Sequence, residues 1–126
     1  AIGVAQLERI EDIIQFRKSI ENEYRDELAT HEHIKFQSQP KDNKKVTWLV
    51  CATVENGKRD EYLQALNREG IDCRPFFFPL SEMPIYARYS FSNQVSQSIS
   101  KKGMNFPTSQ KLESSSFQTI KKILNS

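Results

Sequence analysis

Hydrophobic residues recur with a helical period over the first 28 residues of the chain. They fall three or four positions apart, with charged residues between them, and no glycine or proline follows Gly3 in this stretch. The pattern therefore predicts one long amphipathic helix over residues 1–28. Its apolar side would carry Leu7, Ile10, Ile13, Ile14, Ile20, Tyr24 and Leu28.

Two apolar segments that follow have the character of β-strands. In residues 31–37, Ile34 and Phe36 alternate with polar positions, which predicts a short strand. Residues 46–54 are rich in β-branched side chains and apolar on both faces, which predicts a central strand covered on both sides. A turn cluster at 39–43 separates the two segments, and Asn56-Gly57 ends the second.

A second helical pattern covers residues 59–69, with Tyr62, Leu63 and Leu66 on its inner side. Gly70 stands where a left-handed residue commonly ends a helix. Ile71 would supply the hydrophobic contact that accompanies such an end. We therefore predict a helix that stops at Gly70.

The last third of the chain predicts two helices around an extended stretch. Ser92 is placed to cap the first, which carries Val95 and Ile99 and ends at Gly103. Residues 104–107 follow as an extended stretch that the proline stops. The last helix carries Phe117, Ile120, Ile123 and Leu124.

These elements predict an α/β fold of α+β-like character, in which one small sheet is packed by helices on one face. A length of 126 residues suits a single domain with a core that needs no disulfide. Cys51 and Cys73 lie in apolar surroundings, which favours free thiols in a reducing compartment, although a single disulfide between them stays open.

Charge and motifs exclude several classes of function. The net charge is only +2, and the basic run at 41–45 contains an aspartate, so we expect no nucleic-acid partner. No apolar run is long enough to span a membrane, and no cysteine and histidine spacing indicates a metal site. His31 and His33 are interpreted as surface residues, and the serines at 114–116 as a helix start.

The least ordinary stretch is GIDCRPFFFPLSEMPIY, residues 70–86. Its three consecutive phenylalanines could be a hydrophobic plug between sheet and helices, or the wall of a binding site. In an extended run, Phe76 and Phe78 point one way and Phe77 the other, so a plug would leave a ring exposed. On the second interpretation, the free rings stack on a planar ligand and Arg74 pairs with a phosphate or carboxylate.

Three blocks of the sequence, in order, resemble the DegT/StrS-type sugar aminotransferases. They are AIGVAQLERIEDIIQFRKSI (1–20), GIDCRPFFFPLSEMPIYA (70–87) and NQVSQSISKKGMNFPTSQKL (93–112). The second block is most similar to the perosamine synthase-like group, the nucleotide-sugar 4-aminotransferases. The blocks match the C-terminal part of that family, whose fold is the fold-type-I architecture of enzymes that depend on pyridoxal phosphate (PLP).

The resemblance implies transfer of an amino group, typically from glutamate, to the keto sugar of a nucleoside diphosphate-sugar. It implies that residues 1–126 are the C-terminal small domain, and that the large domain, with most PLP contacts and the lysine that bonds PLP, is absent from this chain. No residue here is then catalytic, and the chain alone is expected to be inactive. The implied whole enzyme is a cytoplasmic homodimer. The expected substrate-binding residues are Arg74, Phe76, Phe77, Phe78, Ser81 and Tyr86.

Some positions depart from the family pattern. Many relatives have tyrosine where Phe78 stands and histidine where Ser81 stands, which removes two polar groups that could bond to the sugar. Glu113 occupies the usual capping position of the last helix, so Ser114 is expected to cap instead. The chain also begins without methionine inside a helical pattern, as expected of part of a longer protein. The alternative is a free-standing ligand- or protein-binding module that uses the Phe-rich loop as its contact patch.

Overall fold

The computed structural model describes residues 1–89, 91, 93–109 and 112–126. Its helices are α1 (Ile2–Leu7), α2 (Ile10–Glu27), α3 (Arg59–Arg68), α4 (Gln94–Lys102) and α5 (Ser114–Leu124). Its strands are β1 (Ile34–Phe36), β2 (Val50–Val54), β3 (Arg74–Pro75) and β4 (Gly103–Phe106). Two short 3-10 helices, Leu80–Glu82 and Pro84–Tyr89, follow β3.

The four strands form one antiparallel sheet in the order β1-β2-β4-β3. The predicted strand at 46–54 is therefore central, but it begins at Val50, which lies opposite Phe106. Pro107 follows Phe106 and has no N–H to donate, so residues 46–49 lack a partner strand on that side. This explains why the first four predicted strand residues lie outside the sheet.

The core lies between one face of the sheet and helices α2, α3 and α5. Tyr24 of α2 is fully buried, with ring centroids 4.9 Å from Phe106 and 4.8 Å from Phe117. Its hydroxyl donates to the Pro107 carbonyl at 3.2 Å, which satisfies its buried polar atom. Burial raises the pKa of Tyr24. The predicted inner residues of α3 and α5 also belong to this core: Tyr62, Leu63, Leu66, Phe117, Ile120 and Leu124.

The prediction that the helices share one face is wrong for α4. None of the described residues of α4 is buried. Its Ile99 lines a cleft with Cys51, which alternates along β2 with the buried Val50 and Ala52. Since side chains of a strand alternate between faces, α4 lies toward the face opposite the core.

The single long N-terminal helix is also a wrong prediction. Two helices, α1 and α2, meet at a tight turn in which the Arg9 amide bonds the carbonyl of Gln6 rather than that of residue 5. Leu7 is 67% exposed and Ile10 is 39% exposed, while the predicted stripe is buried only at Ile20, Tyr24 and Leu28. Helices are stabilised mainly by tertiary packing, and no described residue covers the first turns, so the periodic pattern alone does not keep them continuous.

The predicted helix ends are partly correct. Gly70 has φ +77, and the Ile71 amide bonds the Leu66 carbonyl at 3.0 Å, which confirms the glycine end of α3. The predicted cap Ser92 lies outside the described residues, and the Asn93 side chain accepts from the Ser96 amide at 3.1 Å. The prediction for Ser114 is wrong, because it is the first helical residue of α5 rather than its cap.

Both cysteines are free thiols, Cys51 half-buried and Cys73 buried, which agrees with the prediction that they form no disulfide. Burial raises both pKa values, that of Cys73 to about 12. His31 is not merely a surface residue. Its ring bonds the Leu124 carbonyl at 2.8 Å and accepts from the His33 amide at 3.2 Å, which ties this turn to the end of α5.

Among the residues that the structure describes, no group of three His, Cys, Asp or Glu side chains could hold a metal ion. None of the helices that the described residues form is both long and apolar enough to cross a membrane.

Candidate functional site

The sheet face that carries Cys51 and Asn105 borders an open cleft of about 500 Å³. Trp48, Phe76, Phe77 and Ile99 also line it. The cleft thus lies between the segment before β2, the Phe-rich loop and α4. Its lining is largely apolar and aromatic, as is common where organic ligands bind.

Phe76 is the anchored ring of the loop. Its amide bonds the Gly103 carbonyl at 3.1 Å, and Asn105 donates to the Pro75 carbonyl at 3.2 Å, so β4 holds both residues. The ring lies directly over Gly103, where a Cβ atom would come within 2.1 Å of Phe76 Cδ2. A glycine at this position therefore makes room for the ring, which fixes its orientation.

Phe77 and Phe78 are 74% and 75% exposed, so the interpretation of the loop as a buried plug is wrong for these rings. Phe76 and Phe78 were predicted to point the same way, but only Phe76 packs on the sheet, because the strand ends at Pro75. The Phe77 carbonyl accepts from the Ser100 hydroxyl at 3.0 Å. Its ring lies beside Trp48, with centroids 6.5 Å apart and planes 17° from parallel.

Arg74 lies on a second cleft of about 430 Å³, which it lines with Arg17, Trp48 and Phe77. Its guanidinium is exposed and makes two hydrogen bonds to the Asp72 carboxylate, at 3.1 and 2.9 Å. Hydrogen bonding by Arg74 lowers the pKa of Asp72. An incoming anion would therefore compete with Asp72 for this cation.

Ser81 and Tyr86 line a third cleft, of about 450 Å³, with Leu80, Tyr89 and Phe91. The structure thus distributes five of the six predicted residues over three neighbouring clefts. Phe76 and Phe77 line the 500 Å³ cleft, while Arg74 and Phe77 line the second. Phe78 lines none of these three clefts. Phe77 is the predicted residue shared by two of them.

The structure adds a cluster around Glu21 that the sequence analysis missed. Glu21 is 5% exposed, and its carboxylate accepts from Lys45 at 2.6 Å, from Arg25 at 2.9 and 2.7 Å, and from the Thr47 hydroxyl. Burial alone would raise the pKa of Glu21, but the hydrogen bonds from Lys45, Thr47 and Arg25 outweigh it and lower the pKa from 4.5 to about 2. The sequence feature that could have indicated this cluster is a charged residue, Glu21, directly after Ile20 on the buried side of α2.

The Glu21 cluster also bears on whether these residues could hold PLP. Among the described residues that line the 500 Å³ cleft, Lys45 is the only lysine. Its ammonium group already forms an ion pair with the Glu21 carboxylate at 2.6 Å, so it is not free to bond an aldehyde. The described lining of this cleft therefore does not fit PLP.

Comparison with known proteins gives one family. The model of the DegT/DnrJ/EryC1/StrS aminotransferase family matches residues 1–125. GDP-perosamine synthase of Vibrio cholerae is 33% identical over 115 residues, which are 86% of this chain and 30% of that protein. The same enzyme of Caulobacter vibrioides is 29% identical over 118 residues, with 86% and 30% covered. The chain thus spans about 30% of the length of these curated relatives.

Solved structures agree on the fold. The aminotransferase TlmJ from Streptoalloteichus hindustanus matches with a TM-score of 0.85 at 20% identity, over 97% of this chain and 33% of that one. A Streptococcus pneumoniae protein assigned as a sugar aminotransferase, in its PLP form, matches with a TM-score of 0.83 at 21% identity, over 98% and 34%. The predicted α/β fold, as part of the fold-type-I architecture, is confirmed.

Proposed function

The chain belongs to the DegT/DnrJ/EryC1/StrS aminotransferase family, an enzyme family that depends on PLP, and we propose that residues 1–126 form the C-terminal small domain of such an enzyme. The observation that carries this proposal is a family match over residues 1–125 in a chain that spans about 30% of its curated relatives. The proposal places most PLP contacts, and the lysine that bonds PLP, in a large domain outside this chain.

The proposed reaction moves an amino group from glutamate to the keto sugar of a nucleoside diphosphate-sugar. PLP, when bound, supplies the chemistry that carries the nitrogen. The residues of this chain bind and orient the sugar nucleotide, and none is catalytic. Similarity to two GDP-perosamine synthases supports this substrate class.

The proposed substrate wall is the loop that carries Arg74, Phe76, Phe77, Phe78, Ser81 and Tyr86. Arg74 supplies a cation and Phe77 an exposed ring, while Phe76 holds the loop on Gly103. The departure at Ser81 leaves a hydroxyl at the third cleft, beside Tyr86. This arrangement supports the proposed wall, in which aromatic side chains exclude water and a few polar groups orient the ligand.

The whole enzyme is proposed to be a cytoplasmic homodimer. Exposed apolar side chains on and beside α1 support burial by another domain or subunit: Ile2, Val4, Leu7 and Ile10 are 83%, 61%, 67% and 39% exposed. Exposed apolar surface of this kind commonly marks an interface.

The test is an amino-transfer assay on the full-length protein that contains this chain. With PLP, glutamate and a nucleoside diphosphate 4-keto-sugar, the full-length protein should form 2-oxoglutarate and the amino sugar in equal amounts. The 126-residue chain alone should form neither. A full-length protein without transfer activity, or a chain that turns over alone, would contradict the proposal.

A second candidate is a binding module that uses the exposed rings as a contact patch. The exposure of Phe77, Phe78 and Trp48 favours it. It predicts that the chain alone binds its ligand with full affinity and that Phe77→Ala abolishes that binding. The aminotransferase proposal predicts instead that activity requires the large domain.

A further inference from the structure

We propose that Trp48 and Phe77 form a stacking platform for the base of a nucleoside diphosphate, which makes Trp48 a specificity-determining residue. This inference rests on the proposed function for its substrate class. It adds a residue outside the Phe-rich loop and assigns the base end of the ligand to a defined place, the ridge between the 500 Å³ and 430 Å³ clefts.

The two rings are presented to solvent in a matched orientation. Trp48 is 65% exposed and Phe77 is 74% exposed, although both are large apolar side chains. Their planes lie within 17° of parallel at a centroid separation of 6.5 Å. Two exposed rings in nearly the same orientation offer aligned π-faces to a planar ring system, and bases stack on such surfaces in many nucleotide-binding proteins.

The backbone beneath the rings is fixed. The Trp48 carbonyl accepts from Arg17 at 2.7 Å and from the Thr108 hydroxyl at 3.0 Å. The Phe77 carbonyl accepts from Ser100 at 3.0 Å. These bonds join the platform to α2, to the segment after β4 and to α4. A platform that is already ordered loses less entropy when a ligand binds.

The residue before Trp48 is held even more firmly. Thr47 is 5% exposed, and its hydroxyl bonds the buried Glu21 carboxylate that also receives Lys45 and Arg25. A buried charge is costly unless it is paired, so the Glu21 carboxylate requires Lys45, Arg25 and Thr47 to stay in place. Its effect is to keep residues 45–48 against α2 although they have left the sheet, which is what projects Trp48 toward Phe77.

The charges beside the ridge fit an anionic substituent on the stacked ring. Arg17 and Arg74 line the 430 Å³ cleft, together with Thr108 and with Asp72, which offsets part of the positive charge. In the other cleft, Lys45 is already neutralised by Glu21. A base on the platform would therefore direct its phosphates toward the arginine side. A pyridoxamine phosphate also joins a planar ring to phosphate, so the experiment must separate the two sources.

The experiment measures dissociation constants by calorimetry on the full-length protein, using GDP, UDP, pyridoxamine 5′-phosphate and inorganic pyrophosphate. The variants are Trp48→Leu, which keeps an apolar side chain but removes the ring system, and Trp48→Phe, which keeps a ring. Trp48→Leu should weaken the binding of at least one nucleoside diphosphate by roughly 5- to 150-fold, the range expected for the loss of one base–aromatic stack. Trp48→Phe should recover most of that loss, and neither variant should alter pyrophosphate affinity.

Three outcomes would overturn the platform. In the first, Trp48→Leu leaves both nucleotide affinities unchanged, as it would if another domain covered the ridge. In the second, Trp48→Leu weakens the binding of pyrophosphate as much as the binding of the nucleotides. In the third, the loss appears for pyridoxamine 5′-phosphate alone. Because Trp48 is exposed, the melting temperature should not change, and a matched melting curve excludes misfolding.

The amino-transfer assay separates this inference from the proposed function. A full-length protein that transaminates, yet binds nucleotides independently of Trp48, refutes the platform and leaves the function intact. Trp48-dependent nucleotide binding without amino transfer refutes the function and leaves the platform intact.

Discussion

The two faces of the sheet use the same kind of side chain in opposite ways. On the core face, the Tyr24 ring lies less than 5 Å, centroid to centroid, from the rings of Phe106 and Phe117, and all three side chains are almost fully buried. On the other face, Phe77 and Trp48 form a similarly aromatic pair but remain mostly exposed. Burial of the first group stabilises the fold, while exposure of the second leaves apolar area available to a ligand. Aromatic content alone therefore does not distinguish core from site.

The largest difference between the two faces is expected when the stability of Phe106→Ala is compared with that of Phe78→Ala. Phe106 is 0% exposed and contacts Tyr24, so its truncation should lower the free energy of unfolding by roughly 3–5 kcal/mol. Phe78 is 75% exposed, so its truncation should change that energy by less than about 0.5 kcal/mol. Urea unfolding monitored by circular dichroism measures both. Equal losses would contradict the assignment of the two faces.

Glu21→Gln tests the cluster that supports the exposed side. The folded-state pKa of Glu21, about 2, lies below its ordinary value of 4.5. Its stabilisation is therefore present above pH 4.5 and is lost as the pH falls through about 2. Near neutral pH the variant should lose roughly 2–3 kcal/mol of unfolding free energy, and the loss should shrink in acid. The matched control Glu32→Gln removes an 87% exposed carboxylate and should change little. A loss independent of pH would contradict the ionised pairing.

Gly103→Ala tests the one loop ring that packs on the sheet. A Cβ atom there would come within 2.1 Å of the Phe76 ring, so the ring must move, at a cost of roughly 1–3 kcal/mol. Because the Gly103 backbone is extended, with φ −78, the change adds no backbone strain. The double variant with Phe76→Ala should relieve the clash and lose less than the sum of the two single losses. Strict additivity in thermal unfolding would contradict the contact.

A small stability effect is also expected for Phe77→Ala. The side chain is 74% exposed, and its only described aromatic contact is with Trp48. The free energy of unfolding should fall by less than about 1 kcal/mol. A loss as large as that of Phe106→Ala would restore the buried-plug interpretation of the loop. Chemical denaturation of both variants under one set of conditions decides between them.

The features that local patterns in the sequence predicted correctly are those that depend on interactions between residues close in sequence. The α3 end at Gly70 follows from a left-handed glycine and a hydrophobic Ile71, and both are visible in the sequence. The central position of β2 follows from its β-branched apolar run. The family resemblance then supplied the functional class, which composition and spacing did not carry.

The wrong predictions depend on contacts between distant segments. Residues 46–49 look like strand, but Pro107, 61 positions after Val46, ends the pairing. The apolar stripe at Leu7 looks like core, but the described residues leave it exposed. The position of Trp48 beside Phe77 depends on Glu21 and Arg17 of α2, which no local pattern connects to it. The sequence therefore predicted only the Phe-rich loop as the candidate site. The contribution of Trp48 could be recognised only from the folded structure.

The most direct test of the central claim is the kcat/KM of the full-length enzyme for a nucleoside diphosphate keto-sugar, compared between the parent protein and Phe77→Ala. If the exposed face is the substrate wall, kcat/KM should fall at least about fivefold through a higher KM, while the free energy of unfolding stays nearly constant. An unchanged kcat/KM, in a protein that transfers the amino group normally, would contradict the account.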